Sequence, residues 1–278
     1  MSVLSDDRKR FSAPAGVAFA LTLALGSSGV GADPQDAPDA KAAAIADVVM
    51  KAGGGDAGWA ATKYLRFTFA VEKDGALRTS RTHYWDRVAG RHHIEWTAKD
   101  GKSLVCVQYL DTREGVCTAG DQPLFDSDAK PYLDTAYDMW INDTYWLLMP
   151  YKMKDPGVHL KYDGEAKEGG KVYDKVLLTF DNVGLTPKDR YWAYVDRQTH
   201  RMDKWAFVLQ NEKGEPGSDE PSVWKWTGWS KFGGMMLSTD KTSADGKTKI
   251  LFKDLAAFDK LPDEIFTKTA KVDPALKP

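Results

Sequence analysis

The sequence predicts a mainly β protein of the α+β class, built on one large antiparallel sheet with two helices. From residue 63 onward, apolar and polar residues alternate as they do in strands. Turn sequences rich in Gly, Asp and Asn recur about every ten residues, which favours an antiparallel meander. A helical period occurs in two segments, one before the first strand and one in the middle of the sheet.

The N-terminus has the layout of a secretory signal peptide. Basic residues at 8–10 precede the apolar run "GVAFALTLALG", and small residues lead to Ala32. We predict a signal peptide over 1–32, a polar linker over 33–38 and a single domain over 39–278. The alternative is a membrane anchor, but the apolar run is shorter than the roughly 20 residues that span a bilayer. We therefore expect an exported protein, periplasmic or extracellular, without a transmembrane span in its mature chain.

The first helical segment follows the linker. Asp39 is a suitable N-cap residue, and Ile45, Val48 and Val49 have the spacing of one helix face. Three glycines beginning at Gly53 are expected to end this helix.

The second helical segment covers residues 128–143 and is predicted to end at Asn142 and Asp143. The next residues, "TYWLLMP" (144–150), read as the strand with which the sheet resumes. This joint is rich in aromatic residues, and we interpret it as a structural connection that also forms a wall of any binding site.

The two cysteines flank a predicted hairpin turn. Cys106 and Cys117 stand on either side of "DTREG", so antiparallel pairing about this turn places them opposite each other. Export permits disulfide formation, and we predict a Cys106–Cys117 disulfide. The alternative is a pair of small buried thiols.

The sequence offers no strong catalytic or metal-binding pattern. His92 and His93 are adjacent on a strand, so their side chains point to opposite faces, and we expect neither a metal nor another cofactor. The sequence contains no G-x-S-x-G elbow of a serine nucleophile and no glycine-rich phosphate loop before a helix. A formal net charge of −2 gives no electrostatic reason for nucleic-acid binding. We therefore expect a non-enzymatic protein.

If the protein is an enzyme, three carboxylates are the best candidates for its catalytic residues. Asp138, Asp143 and Asp155 lie near tryptophans, and glycosidases use paired carboxylates across a sugar. A carbohydrate-binding or carbohydrate-acting protein is therefore one alternative. An exposed helix position for Asp138 and turns for Asp143 and Asp155 explain the same three residues better than catalysis does.

Large aromatic residues alternate along several strands. One interpretation is an ordinary sheet core covered by the two helices. The other is a sheet that curls around a hydrophobic cavity, with the helices as plug or lid, which suits acyl chains because apolar burial has no directional demand. The residues assigned to this candidate ligand-binding face are Phe67, Phe69, Trp96, Trp146, Trp192, Tyr194, Trp205, Phe207, Trp224 and Trp226.

The order of helix, meander, helix and meander in an exported chain resembles the outer-membrane lipoprotein-sorting (LolA/LolB-like) superfamily. The segments "NDTYWLLMPYKMKDPGVHLKY", "YDKVLLTFDNVGLTPKDRYWAYVD" and "DKWAFVLQ" are similar to an exported bacterial family of unassigned function within it. The resemblance covers roughly residues 39–266. It implies an unclosed β-barrel, or half-barrel, with both helices over its mouth.

The resemblance also implies that a hydrophobic cavity holds a lipid or a lipoprotein acyl chain, without catalysis. The carriers of this superfamily hold their lid with an arginine, and Arg66 is the position to test for that role. We expect a monomer whose partners are a lipid or acyl chain and, in addition, another envelope protein. A structural or partner-binding envelope protein without a ligand remains an alternative.

Overall fold

The structure is a computed structural model that describes residues 39–181, 186, 188–211 and 213–278. The predicted signal peptide and linker lie outside the described residues, as do parts of the two predicted turns near residues 185 and 212.

In the described part of the chain, thirteen strands form one antiparallel sheet that is not closed into a barrel. The first and last strands pair in its middle, and each half of the sheet is a meander. The predicted antiparallel, unclosed sheet is thus confirmed. Its strands are β1 (Tyr64–Lys73), β2 (Ala76–Asp86), β3 (Arg91–Thr97), β4 (Ser103–Tyr109), β5 (Gly115–Ala119), β6 (Gln122–Leu124), β7 (Val158–Glu168), β8 (Lys171–Phe180), β9 (Arg190–Asp196), β10 (Met202–Val208), β11 (Ser222–Phe232), β12 (Met235–Ser243) and β13 (Thr248–Phe258).

The N-terminal helix α1 (Ala40–Ala52) begins as predicted at Asp39. The Asp39 carboxylate accepts hydrogen bonds from the backbone N–H groups of residues 41 and 42, both at 3.0 Å. Ile45 and Val49 are buried, whereas Val48 is exposed. The buried face of α1 is therefore narrower than the predicted face, which included all three residues.

A short second helix, α2 (Gly55–Ala61), is absent from the sequence prediction because its glycines read as a helix end. Its Gly58 lies directly against Gly234, the residue before β12, and a Cβ atom on Gly58 would lie 2.2 Å from the Gly234 carbonyl oxygen. Glycine at this position therefore lets α2 pack on the sheet.

The mid-chain helix α3 (Asp126–Leu148) is longer than predicted, and a 3₁₀ turn (Met149–Tyr151) continues it. The predicted helix end at Asn142 and Asp143, and the predicted strand over 144–150, are wrong. Every residue from Asp143 to Met149 is buried. A helix buried on all sides has no polar face, so this segment lacks the period that identifies a helix in sequence.

The sheet has two faces with different cover. The inner face packs against α1 and α3 and carries the largest hydrophobic cluster. The start of α3 packs on a second cluster around Cys106 and Cys117, which form the predicted disulfide. The outer face is partly covered by the C-terminal segment, including a 3₁₀ turn (Asp263–Phe266).

Candidate functional site

Tryptophans from neighbouring strands meet on the inner face. Trp205 of β10 pairs in register with Trp224 of β11, and Trp226 follows two residues later on the same face. The Trp205 and Trp226 rings lie 5.6 Å apart between centroids. The sequence prediction that these strands present large apolar groups to one face holds for these three residues.

The end of α3 inserts a further tryptophan among them. The Trp146 ring lies 4.8 Å from Trp205, 5.0 Å from Trp224 and 5.9 Å from Phe207, between ring centroids. We call these four residues together with Trp226 the inner aromatic cluster. Trp146 was predicted on a strand, but it lies on the helix and occupies the surface that the strands provide.

Three other predicted site residues also lie on the inner face. Phe67 and Phe69 of β1 each lie 5.6 Å from the Phe252 ring of β13. Trp96 lies in the second cluster, beneath the start of α3, and is therefore separated from the inner aromatic cluster.

The structure places Trp192 and Tyr194 on the outer face, away from the other eight predicted residues. Their neighbours Tyr191, Ala193 and Val195 belong to the inner hydrophobic cluster, and alternation sends Trp192 and Tyr194 the other way. The segment "RYWAYV" has aromatic residues at both odd-numbered and even-numbered positions, so its pattern alone does not fix which of them faces inward.

A group of polar side chains is buried on the same inner face, between the sheet and α3. We call it the inner polar cluster, and its members are Arg81, His83, His92, Gln108 and Asp143. Two bonds join Arg81 to Asp143, from Nε to Oδ2 at 2.5 Å and from Nη2 to Oδ1 at 2.6 Å. The cluster therefore ties α3 to β2 by a bidentate ion pair.

Histidines extend this cluster across the sheet. Nε2 of His83 lies 2.8 Å from Oδ2 of Asp143, and Nδ1 of His83 lies 2.9 Å from Nε2 of His92. A carboxylate only accepts hydrogen bonds, so Nε2 of His83 carries the hydrogen. The Gln108 side-chain amide lies 3.2 Å from Nδ1 of His92 and completes the row.

The electrostatics keep Asp143 ionised and the two histidines neutral. Burial by itself raises the pKa of Asp143, but Arg81 and the His83 hydrogen bond outweigh it and hold the pKa below its usual value. Burial lowers the pKa of His83, and the bond to Asp143 offsets only part of this. Burial and the neighbouring His83 hold the pKa of His92 well below its usual value.

Sequence reasoning missed the inner polar cluster because Asp143, which joins its members to α3, lies 62 positions from Arg81 and 60 from His83 in the chain. The available signal was the spacing of Arg81 and His83, two polar residues at alternate positions of a strand whose partner β1 carries Phe67 and Phe69. Arg66, the position proposed for the superfamily's lid arginine, has a different role. Its guanidinium bonds to the backbone carbonyls of Asp254 and Leu276.

The other candidate carboxylates do not join Asp143. Asp155 forms an ion pair with Lys152 at 2.5 Å. Asp138 lies on an exposed position of α3, and desolvation by its neighbours raises its pKa. Over the described ranges, the structure contains no group of three or more His, Cys, Asp or Glu side chains able to hold a metal ion.

No protein-family model matches the chain, and no curated protein matches it. Among solved structures, it is similar to a LolA superfamily protein from Nitrosomonas europaea, with a TM-score of 0.48 and 14% identity over 82% of this chain and 97% of that one. It is also similar to a DUF1329 family protein from Desulfovibrio piger, with a TM-score of 0.46 and 12% identity over 81% of this chain and 96% of that one.

Among the described residues, no helix has the length and apolar character needed to cross a membrane.

Proposed function

We propose that this chain is an exported, non-enzymatic envelope protein that binds the acyl chain of a lipid or lipoprotein on the inner face of its sheet. In this proposal the end of α3 occupies the binding surface in the free protein. An acyl chain takes its place when this part of the helix moves off the sheet.

The inner polar cluster is the observation that carries the proposal. A buried ion pair stabilises a fold less well than apolar residues of the same volume, because both charges lose their hydration. The best-attested role of a buried ion pair is to select one of two alternative arrangements of the elements that it joins. Arg81 and Asp143 join two elements, the sheet and α3, so the ion pair is suited to hold α3 in one defined position.

The surface under α3 suits a hydrocarbon chain. Trp205, Phe207 and Trp224 contact Trp146 directly, and they would lose this cover if the helix end moved away. Burying apolar surface stabilises by roughly 25 cal/mol per Å² without directional bonds. An acyl chain is therefore a suitable replacement for the Trp146 side chain.

Two alternatives make different use of the same residues. The insertion of Trp146 into the inner aromatic cluster favours a structural or partner-binding protein in which this cluster is only a core. A carbohydrate-acting protein is less well supported, because Asp143 is fully buried and already bonded to Arg81 and His83.

Native mass spectrometry of the mature protein from a bacterial envelope, followed by organic extraction, tests the proposal. We expect a co-purifying lipid, and uptake of a fluorescent fatty acid by the delipidated protein. A lipid-free mass together with no uptake would overturn the proposal and favour the structural alternative.

The Arg81→Met variant tests whether the ion pair controls access. Loss of Arg81 leaves Asp143 buried and unpaired, so the helix end is expected to leave the sheet more readily and uptake of the fatty acid to become faster. The matched control is Arg197→Met, which removes an exposed ion pair with Asp174. Circular dichroism verifies that both variants remain folded, and Asp143→Asn provides a milder second variant. Equal uptake rates in all four proteins would contradict a role for the ion pair in access.

A further inference from the structure

A lysine lies among the aromatic residues of the inner face. Lys241 of β12 is fully buried, and its Nζ donates a hydrogen bond to the Ser238 carbonyl oxygen at 2.5 Å. Within the described residues, Lys241 forms no ion pair with a carboxylate. The adjacent Asp240 bonds instead to Thr239 and influences the amine only through its charge.

Two aromatic rings enclose this amine. Its Nζ lies 4.4 Å from the centroid of the Trp226 ring and 4.2 Å from that of Phe252. Lys241 and Trp226 are direct partners in the register of β11 and β12, so both side chains leave the sheet on the same face. A buried amine is costly for folding unless hydrogen bonds replace its lost hydration, and the bond to the Ser238 carbonyl oxygen uses one of its N–H groups.

The tryptophans beside Lys241 also have unused donors. In the part of the chain that the structure describes, the buried indole N–H groups of Trp205 and Trp226 have no hydrogen-bond acceptor. The indole of Trp224, by contrast, donates to the Ser222 hydroxyl at 3.1 Å. Buried donors are normally paired, so the surroundings of Lys241 offer an excess of donors to an incoming acceptor.

We propose that Lys241 anchors the carboxyl group of a long-chain fatty acid, with the Trp226 indole N–H as a second donor. This inference rests on the proposed function and narrows its ligand class to lipids with a free carboxyl group. An esterified acyl chain offers only weaker, uncharged acceptors at the same place.

The path of the hydrocarbon tail follows from the rings next to Lys241. Trp226, Trp205, Tyr191 and Phe180 form a row with centroid distances of 5.6, 5.2 and 5.5 Å. These residues lie on β11, β10, β9 and β8. At about 4.8 Å per strand, the distance from β12 to β8 is roughly 19 Å. Trp146 and Tyr145 of α3 now contact this row, as expected if they stand where the tail would bind.

Binding need not place a net charge in the core. Burial lowers the pKa of Lys241 well below its usual value, which favours the neutral form of the amine in the free protein. A fatty acid that enters as its neutral acid transfers its carboxyl proton to the Nζ lone pair. The products are an ammonium and a carboxylate in direct contact, and the total charge of the core is unchanged.

The test compares palmitic acid, palmityl alcohol and methyl palmitate on delipidated protein, in competition with a fluorescent fatty acid. We expect the wild type to bind palmitic acid about tenfold or more tightly than the alcohol and the ester. The Lys241→Met variant is expected to lose this preference and keep its affinity for the alcohol. The control Lys225→Met changes an exposed lysine of β11 and is expected to keep the preference.

A second measurement does not depend on a variant. Nuclear magnetic resonance of palmitic acid labelled at its carboxyl carbon is expected to show an ionised carboxyl group in the complex. Equal affinities of the wild type for all three ligands would overturn the role of Lys241 and leave the proposed function intact. Failure of all three ligands to bind would overturn the proposed function itself.

Discussion

Arg81 and Asp143 form a buried, bidentate ion pair between residues 62 positions apart in the chain. Asp143 is fully buried, and the Arg81 side chain is 13% exposed. Two parallel bonds demand one orientation of the helix relative to the sheet. The ion pair therefore sets the rotation and depth of α3 over the inner face more closely than apolar contacts would.

Removing one member of this pair is expected to cost more than removing both. Asp143→Leu or Arg81→Met alone leaves an unpaired buried partner and is expected to lower the free energy of unfolding by about 3–5 kcal/mol. The double variant is expected to be more stable than either single variant. Urea unfolding of the four proteins measures the coupling. Additive losses would show that the two side chains do not act as a pair.

Stability is expected to fall as the pH drops below about 6.5, the ordinary pKa of histidine. The pKa values of His83 and His92 are lowered in the folded protein, so the unfolded chain binds more protons in this range. Each histidine contributes up to about 1.4 kcal/mol per pH unit. The lowered pKa of Asp143 adds a loss only below its unfolded value near 3.8. Urea unfolding between about pH 7.5 and 5.5, roughly one unit on each side of 6.5, measures the slope.

His92→Gln tests the assignment of this slope. The substitution removes one titrating group and is expected to flatten the pH dependence of the free energy of unfolding. His159→Gln makes the same substitution at an exposed histidine and provides the matched control. An unchanged slope in His92→Gln would assign the pH dependence to other groups.

Much of the sheet was predictable from the sequence because apolar and polar residues alternate along several of its strands. Trp205, Trp224 and Trp226 share a face in the structure as the alternation indicates. The Cys106–Cys117 bond followed from the position of one turn. In each case the information lies within a few residues of the feature.

The missed features depend on distant contacts. Asn142 and Asp143 resemble a helix end in sequence, yet Arg81 and His83 bond the Asp143 carboxylate and allow the helix to continue. The prediction placed Trp192 on the inner face, whereas it lies on the outer face, because aromatic residues of β9 occupy positions that point to both faces. The local sequence period shows neither which distant residues bond to Asp143 nor which elements pack on each face of β9.

The Cys106–Cys117 disulfide is expected to stabilise the half of the sheet that supports the start of α3. The two residues are 11 positions apart, and a loop of this length corresponds to about 3 kcal/mol in the loop-entropy model. The double variant Cys106→Ala/Cys117→Ala is expected to lose about this free energy of unfolding. A reductant is expected to destabilise the wild type but leave the double variant unchanged. A wild type that responds to reductant no more than the variant would contradict the prediction.

Trp146 and Trp192 offer a matched pair of substitutions, because both are tryptophans but they lie on opposite sides of the sheet. Trp146→Ala removes a buried side chain from the inner aromatic cluster and is expected to cost about 3–5 kcal/mol. Trp192→Ala, on the outer face, is expected to cost about 1 kcal/mol or less. Since Trp146 occupies the proposed acyl site, its removal is also expected to raise the affinity for a fluorescent fatty acid, whereas Trp192→Ala leaves it unchanged. Thermal unfolding and probe titration of the two variants measure both effects. A large loss of stability in Trp146→Ala without a gain in probe affinity would identify the inner aromatic cluster as core alone.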